Sequence, residues 1–96
     1  MNVERNESDH QFEVEVEGHT GLLSYRQHGQ TLALTHTEVP TALQGKGIGQ
    51  VLAKGALDYA REHHLVVQPY CSFVAGYLKK HPEYKDLIEP GFPTGD

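Results

Sequence analysis

The stretch "TEVPTALQGKGIGQVLAKGALDYARE", residues 37–62, places three alternating glycines, Gly45, Gly47 and Gly49, at the mouth of a run with helical spacing. The apolar positions Ile48, Val51, Leu52, Ala56, Leu57 and Ala60 share one face of an amphipathic helix that reaches about His63. Pro40 lies five residues ahead of the glycines. It has no N–H to give to a ladder, so it ends the preceding strand or sits on a bulge. The first N–H groups of a helix lack partners and carry partial positive charge. Glycines remove Cβ atoms and let an anion approach those groups closely. Lys46 adds a full charge. Three glycines at one helix entrance exceed what a tight turn needs, so the turn is expected to hold an anionic ligand.

Working outward, "HQFEVEVEG" alternates Phe12, Val14 and Val16 with Glu13, Glu15 and Glu17, which predicts a half-buried strand. The chain turns at "HTG", with Gly21. "LLSYRQ" is a second strand, "HGQ" at 28–30 a hairpin turn, and "TLALTHTEV" a third strand rich in β-branched residues. These three form an antiparallel meander. Beyond the helix, "LVVQPYC" is a fourth strand, and the crossover to it is long enough for a parallel β-α-β unit. "SFVAGYLKK" is a second helix with Ser72 as its N-cap, and "HPEYKDLI" closes the domain. The fold class is therefore α/β. A single domain over residues 10–88 is expected, with flexible segments at 1–9 and 89–96.

The chain has 96 residues, enough for one modest core. Its formal net charge of −5 argues against a general nucleic-acid binder, which would show a basic stripe. No segment is apolar enough to span a membrane, and the polar start "MNVERNESDHQ" is not a targeting peptide. Cys71 is the one cysteine, so no internal disulfide forms, and a cytoplasmic protein is expected. No His, Cys and Asp spacing matches a metal site.

Phosphate motifs can be tested against the turn. A P-loop counted from Gly45 needs glycine where Gln50 stands, and the dinucleotide fingerprint fails at the same residue. The pattern that fits is Q-x-x-G-x-G, formed by Gln44, Gly47 and Gly49. It resembles the acetyl-coenzyme A signature of the GCN5-related N-acetyltransferase family, which lies between a strand and a long helix. The likeness extends over roughly residues 31–86. "H-T-x-V-P" at 36–40, "Q-G-x-G-I-G" at 44–49, "P-Y-C" at 69–71 and "Y-L-K-K-H-P-E-Y" at 77–84 resemble very small members most. The resemblance implies acetyl-coenzyme A at Gln44, Gly45, Lys46, Gly47, Ile48 and Gly49. It implies that the strand before the turn splays from its parallel neighbour to admit the pantetheine arm. It also makes the backbone N–H of Val39 a donor to the thioester oxygen, where charge grows during acyl transfer.

Acetyl transfer to an amine needs a base near the end of the third strand. His36 and Glu38 stand two apart there, on the face expected for Leu32 and Leu34. The departing thiolate needs a proton. By resemblance, Tyr77 in "A-G-Y-L-K-K" is the donor, although His81-Pro82 replaces the usual glycine-aromatic ending. Cys71, at a strand-to-helix junction, is a second candidate as acid or acetyl relay, or else a small buried hydrophobe. Larger relatives insert helices between the first two strands, where this chain has only "GHTG". The acceptor side is therefore expected to be open, suiting a protein lysine, an N-terminal amine or a small amine. The reading is an acetyl-coenzyme A-dependent N-acetyltransferase, with a non-catalytic acyl-coenzyme A-binding module as its rival.

Overall fold

The computed structural model describes residues 1–93; the last three residues of the expected C-terminal tail lie outside them. The elements run β1 (Glu4–Asn6), β2 (Gln11–Val16), β3 (His19–His28), β4 (Thr31–Glu38), α1 (Ile48–Glu62), β5 (Val66–Pro69) and α2 (Ser72–Lys80). Short 3₁₀ turns occupy Thr41–Leu43 and Pro82–Leu87. The sheet order is β1-β2-β3-β4-β5, antiparallel except for the β4–β5 pair, which is parallel. This is the expected α/β architecture with one added edge strand. The polar residues 4–6 carry no apolar alternation, yet they pair with Gln11–Glu13, and Val3 packs against the Cβ-free surface of Gly55.

Other boundaries move by local chemistry. The β2–β3 turn sits at Glu17 and Gly18, both at positive φ, and Gly21 lies inside β3. Gly18 can adopt that backbone without strain. The cap of α2 is Cys71, with no side-chain hydrogen bond, and Ser72 is the first helical residue. Residues 82–87 coil as a 3₁₀ turn, leaving Ile88 alone to bridge Val67. The turn begins with Pro82, which favours a helical start.

The alternation in β2 and β3 puts Phe12, Val14, Leu23 and Tyr25 on one face of the sheet, all buried. Onto that face α1 lays a strip of small residues, including Ala53, Ala56 and Ala60, that lets helix and sheet approach closely. Beside α1 run α2 and the 82–87 turn. Arg61 donates to Asp86 and to the Glu83 carbonyl, and the Tyr84 hydroxyl donates to Asp58 at 2.6 Å. Glu15, Arg26, His36 and Glu38 on the opposite sheet face stay exposed.

Gly21 fixes where α1 begins. A Cβ there would stand 2.7 Å from Cγ2 of Ile48, the first and fully buried residue of the helix. The Gly21→Ala variant should lose about 1–3 kcal/mol of stability through this overpacking. Urea unfolding measures it, and an unchanged midpoint would contradict the packing described.

Candidate acetyl-transfer site

The site begins with a break in the sheet. Pairing of β4 with β5 runs from Thr31 opposite Val66 to Leu34 opposite Pro69 and stops there. Pro69 has no N–H for the ladder. The last bond across is Cys71 N–H to the Leu34 carbonyl, 2.9 Å. In contrast, β4 continues on its other side, pairing His36, Thr37 and Glu38 with β3. The β5-facing edge of the last part of β4 is thus left open.

A bulge decides what that edge presents. The β3–β4 register shifts between Ser24 and Tyr25, so Thr35 is an extra residue in β4. A bulge exchanges the two faces of the strand beyond it. Thr37 therefore shares the core face with its partner Leu23, while His36 and Glu38 turn to the outer face with Ser24 and Leu22. This corrects the expectation that His36 and Glu38 line up with Leu32 and Leu34. The phase of the backbone shifts as well. The Leu34 carbonyl faces β5, and one added residue turns the Thr37 amide toward the open edge.

Pro40 follows the strand, and Thr41–Leu43 coil before the glycines. The glycines have different reasons. Gly45 and Gly47 sit at φ +81° and +74°, a left-handed conformation that L side chains strain to adopt, and a Cβ on either would meet nothing within 4 Å. Gly49 is a helical residue whose added Cβ would touch the Phe73 ring at 2.7 Å. The first helical bond of α1 is Val51 N–H to the Gly47 carbonyl, 3.1 Å, so the amides of Ile48, Gly49 and Gln50 precede the ladder.

Glu38, Val39, Gln44, Gly45, Gly47, Ile48 and Gly49 border one cleft of about 550 Å³, together with Thr37, Leu43, Gln50 and Phe73. Ile48 is 1% exposed, so its side chain belongs to the core even though the residue borders the cleft. Lys46 and Tyr77 fall instead in the adjoining groove between α1 and α2, with Gln50, Lys54 and His81. Lys80 borders a neighbouring pocket with Phe73 that shares Gln50, Tyr77 and His81 with this groove. Gln50 and Gly47 border both the cleft and the groove. The Tyr77 ring stacks on His81 at 4.0 Å, and burial raises its phenol above the ordinary value.

Cys71 is buried behind the break, its Sγ 3.1 Å from the Thr37 hydroxyl. His36 Nε2 lies 3.4 Å from a Glu38 carboxylate oxygen, both side chains largely exposed. The structure thus brings Cys71 and Glu38 to opposite faces of one strand end and sets Tyr77 apart from them. Sequence reasoning missed Thr37, hidden by the unseen bulge, and Phe73. An aromatic in the first turn after β5 was the available signal for Phe73. Among the described residues no group of three or more His, Cys, Asp or Glu could hold a metal ion, and no helix is long and apolar enough to cross a membrane.

A family model described as GCN5-related N-acetyl-transferase matches residues 11–87. Protein NATD1 of Xenopus tropicalis is 35% identical over 95 residues, covering 94% of this chain and 87% of that protein. Protein NATD1 of Mus musculus is likewise 35% identical over 95 residues, covering 94% and 86%. A solution structure from Staphylococcus aureus, provisionally assigned as a GCN5-like N-acetyltransferase, superposes with a TM-score of 0.70 at 27% identity, covering 92% of this chain and 87% of that one.

The groove wall carries a pH signature. Burial works to raise the Asp58 carboxyl, but hydrogen bonds from Lys54 and Tyr84 outweigh it and hold the group below its ordinary value. A depressed carboxylate contributes stability that is fully present above the unfolded value, about 3.9, and is lost as pH falls through the lower folded value. Asp58→Asn should therefore flatten part of the acid loss of stability. Urea unfolding from about pH 2 to 6 reads this, and an acid limb identical to that of the parent would contradict it.

Proposed function

Because the chain belongs to the GCN5-related N-acetyltransferase family and is an N-acetyltransferase, we propose that it takes its acetyl group from acetyl-coenzyme A held at the glycine turn and passes it to an exposed primary amine. The observation that carries this reading is the alignment of the β4–β5 break with the 44–49 turn in one cleft. Pyrophosphate would meet the amides of 48–50, where the first turn of α1 leaves donors without helical partners. The basic α1–α2 groove, with Lys46, Lys54, Lys80 and His81, suits the phosphorylated nucleotide end. The Thr37 and Val39 edge suits the amide-bearing pantetheine arm. The Val39 N–H is offered to the thioester oxygen, where negative charge grows as the amine adds.

Atoms balance in direct transfer. A C–N bond forms, the C–S bond breaks, the amine loses a proton to a base, and the thiolate gains one from an acid. Glu38, with His36 beside it, is the proposed base, acting directly or through water from the outer face. Of the two candidate acids, position favours Cys71 over Tyr77, since the thiol lies at the break itself. The open sheet face favours an amine presented on a protein or a small amine that needs no enclosing wall. The reading keeps the cytoplasmic location expected from the sequence. Release of free thiol from acetyl-coenzyme A in the presence of an amine panel tests it; no acceleration by any amine would reject turnover.

Gly47 separates occlusion from strain. Asn tolerates the left-handed backbone better than other L residues, so Gly47→Asn should keep the fold and place a side chain in the anion's path. Calorimetry should show acetyl-coenzyme A affinity reduced at least about tenfold, the cost of losing one charge-assisted hydrogen bond. Unchanged affinity would remove the turn from the binding site.

The acid is assigned by a pair of variants. Cys71→Ala should lower kcat by roughly 10² or more at similar cofactor affinity, the usual worth of a general acid. Tyr77→Phe, which retains the ring and its stacking, should change kcat little. A reversed pattern in folded protein would make Tyr77 the donor.

A further inference from the structure

A turn that offers backbone amides to a diphosphate does not by itself tell one nucleotide from another. ADP and coenzyme A would present the same group to the amides of Ile48, Gly49 and Gln50. What distinguishes coenzyme A begins directly beyond the diphosphate. One methylene away stands a carbon that carries a pair of methyl groups, a compact alkyl knob on an otherwise polar molecule. Choosing coenzyme A therefore calls for an apolar wall beside the amides.

Phe73 stands there. It is the second residue of α2, just past the Cys71 cap. It borders the cleft together with Gly47, Ile48, Gly49 and Gln50. Its placement depends on Gly49. A Cβ built on that glycine would lie 2.7 Å from Cζ of Phe73, 3.0 Å from Cε2 and 3.3 Å from Cε1. The outer end of the ring thus rests on the first turn of α1, where the amides precede the helical ladder.

This ring is not spent on the core. Phe73 is 41% exposed, and among the described residues it contacts no other aromatic ring. The other large apolar side chains left exposed, Met1 and Tyr70, do not border the cleft. Leu43 and Ile48 do border it, but each is 1% exposed, with its side chain committed to the core. Phe73 is therefore the large apolar side chain that the cleft leaves open beside those amides. Covering it with an alkyl group removes apolar surface of both partners from water.

We propose that Phe73 selects coenzyme A at the glycine turn by packing its ring against the paired methyl groups next to the diphosphate, a contact that ADP cannot make. The inference rests on the acetyl-donor reading and adds the residue that turns a general diphosphate site into one for coenzyme A.

The test is isotope-filtered NMR of the labelled whole chain with unlabelled coenzyme A, together with calorimetry. Through-space contacts are expected from the paired methyls to the ring protons of Phe73. Phe73→Ala should weaken coenzyme A binding about tenfold, the worth of burying roughly two methyl groups. It should leave 3′-phospho-ADP, which keeps the diphosphate and lacks the alkyl arm, bound as by the parent. Dispersed amide spectra establish folding. If Phe73→Ala does not fold, Phe73→Leu, which keeps more of the volume, should show the same selective loss at about threefold. The proposal is overturned if the methyls of bound coenzyme A show no contact with Phe73, or if a folded variant binds coenzyme A as the parent does. It is also overturned if the variant weakens both ligands alike, the result of a merely structural role for the ring. No saturable binding of coenzyme A to the parent would instead reject the acetyl-donor reading, and this inference with it.

Discussion

The structure depends on β4 pairing fully on one side and only halfway on the other. Pro69 ends β5 without an N–H, and the extra residue Thr35 re-phases β4 just past the last shared bond at Leu34. Unpaired backbone is costly inside a protein. An open edge beside a helix entrance therefore persists most readily where another molecule's polar backbone completes it. The same re-phasing sets the chemistry. Thr37 turns inward to Cys71, and His36 and Glu38 turn outward, so acid and base candidates stand on opposite faces of one strand end.

A chain of this size gets by with one layer of helices. Small residues on α1 allow close contact with the sheet, and the 82–87 turn that follows α2 is tied along the flank of α1 by Tyr84–Asp58 and Arg61–Asp86. Gly21 and Gly49 belong to this compactness, since each makes room for a specific neighbour, Ile48 and Phe73. Gly45 and Gly47 serve backbone conformation instead. The alternating glycines thus answer two constraints, a left-handed turn and a close helix contact. Both lie where the amides of the first turn of α1 precede the helical ladder.

Much of this was legible from residue patterns. Period-two alternation marked β2, helical spacing marked α1, and the Q-x-x-G-x-G pattern located the cleft. What escaped has physical causes. The strand β1 is three polar residues whose pairing is long-range and leaves no periodic trace. The Thr35 bulge is invisible in a run that alternates on either side of it, so the faces of His36 and Glu38 were misread while their positions were right. Tyr77 sits in the helix as expected, but its place in the α1–α2 groove follows from how the two helices pack, and no local pattern encodes that.

The central claim is that the acetyl group sits at the β4–β5 break, beside Val39 and Cys71. The direct measurement is an isotope-filtered NMR experiment with acetyl-coenzyme A carrying a ¹³C-labelled acetyl methyl. The account predicts through-space contacts from that methyl to protons of Thr37, Val39 and Cys71. Contacts confined to the α1–α2 groove around Tyr77 and His81, or none to the end of β4 under saturating ligand, would contradict it.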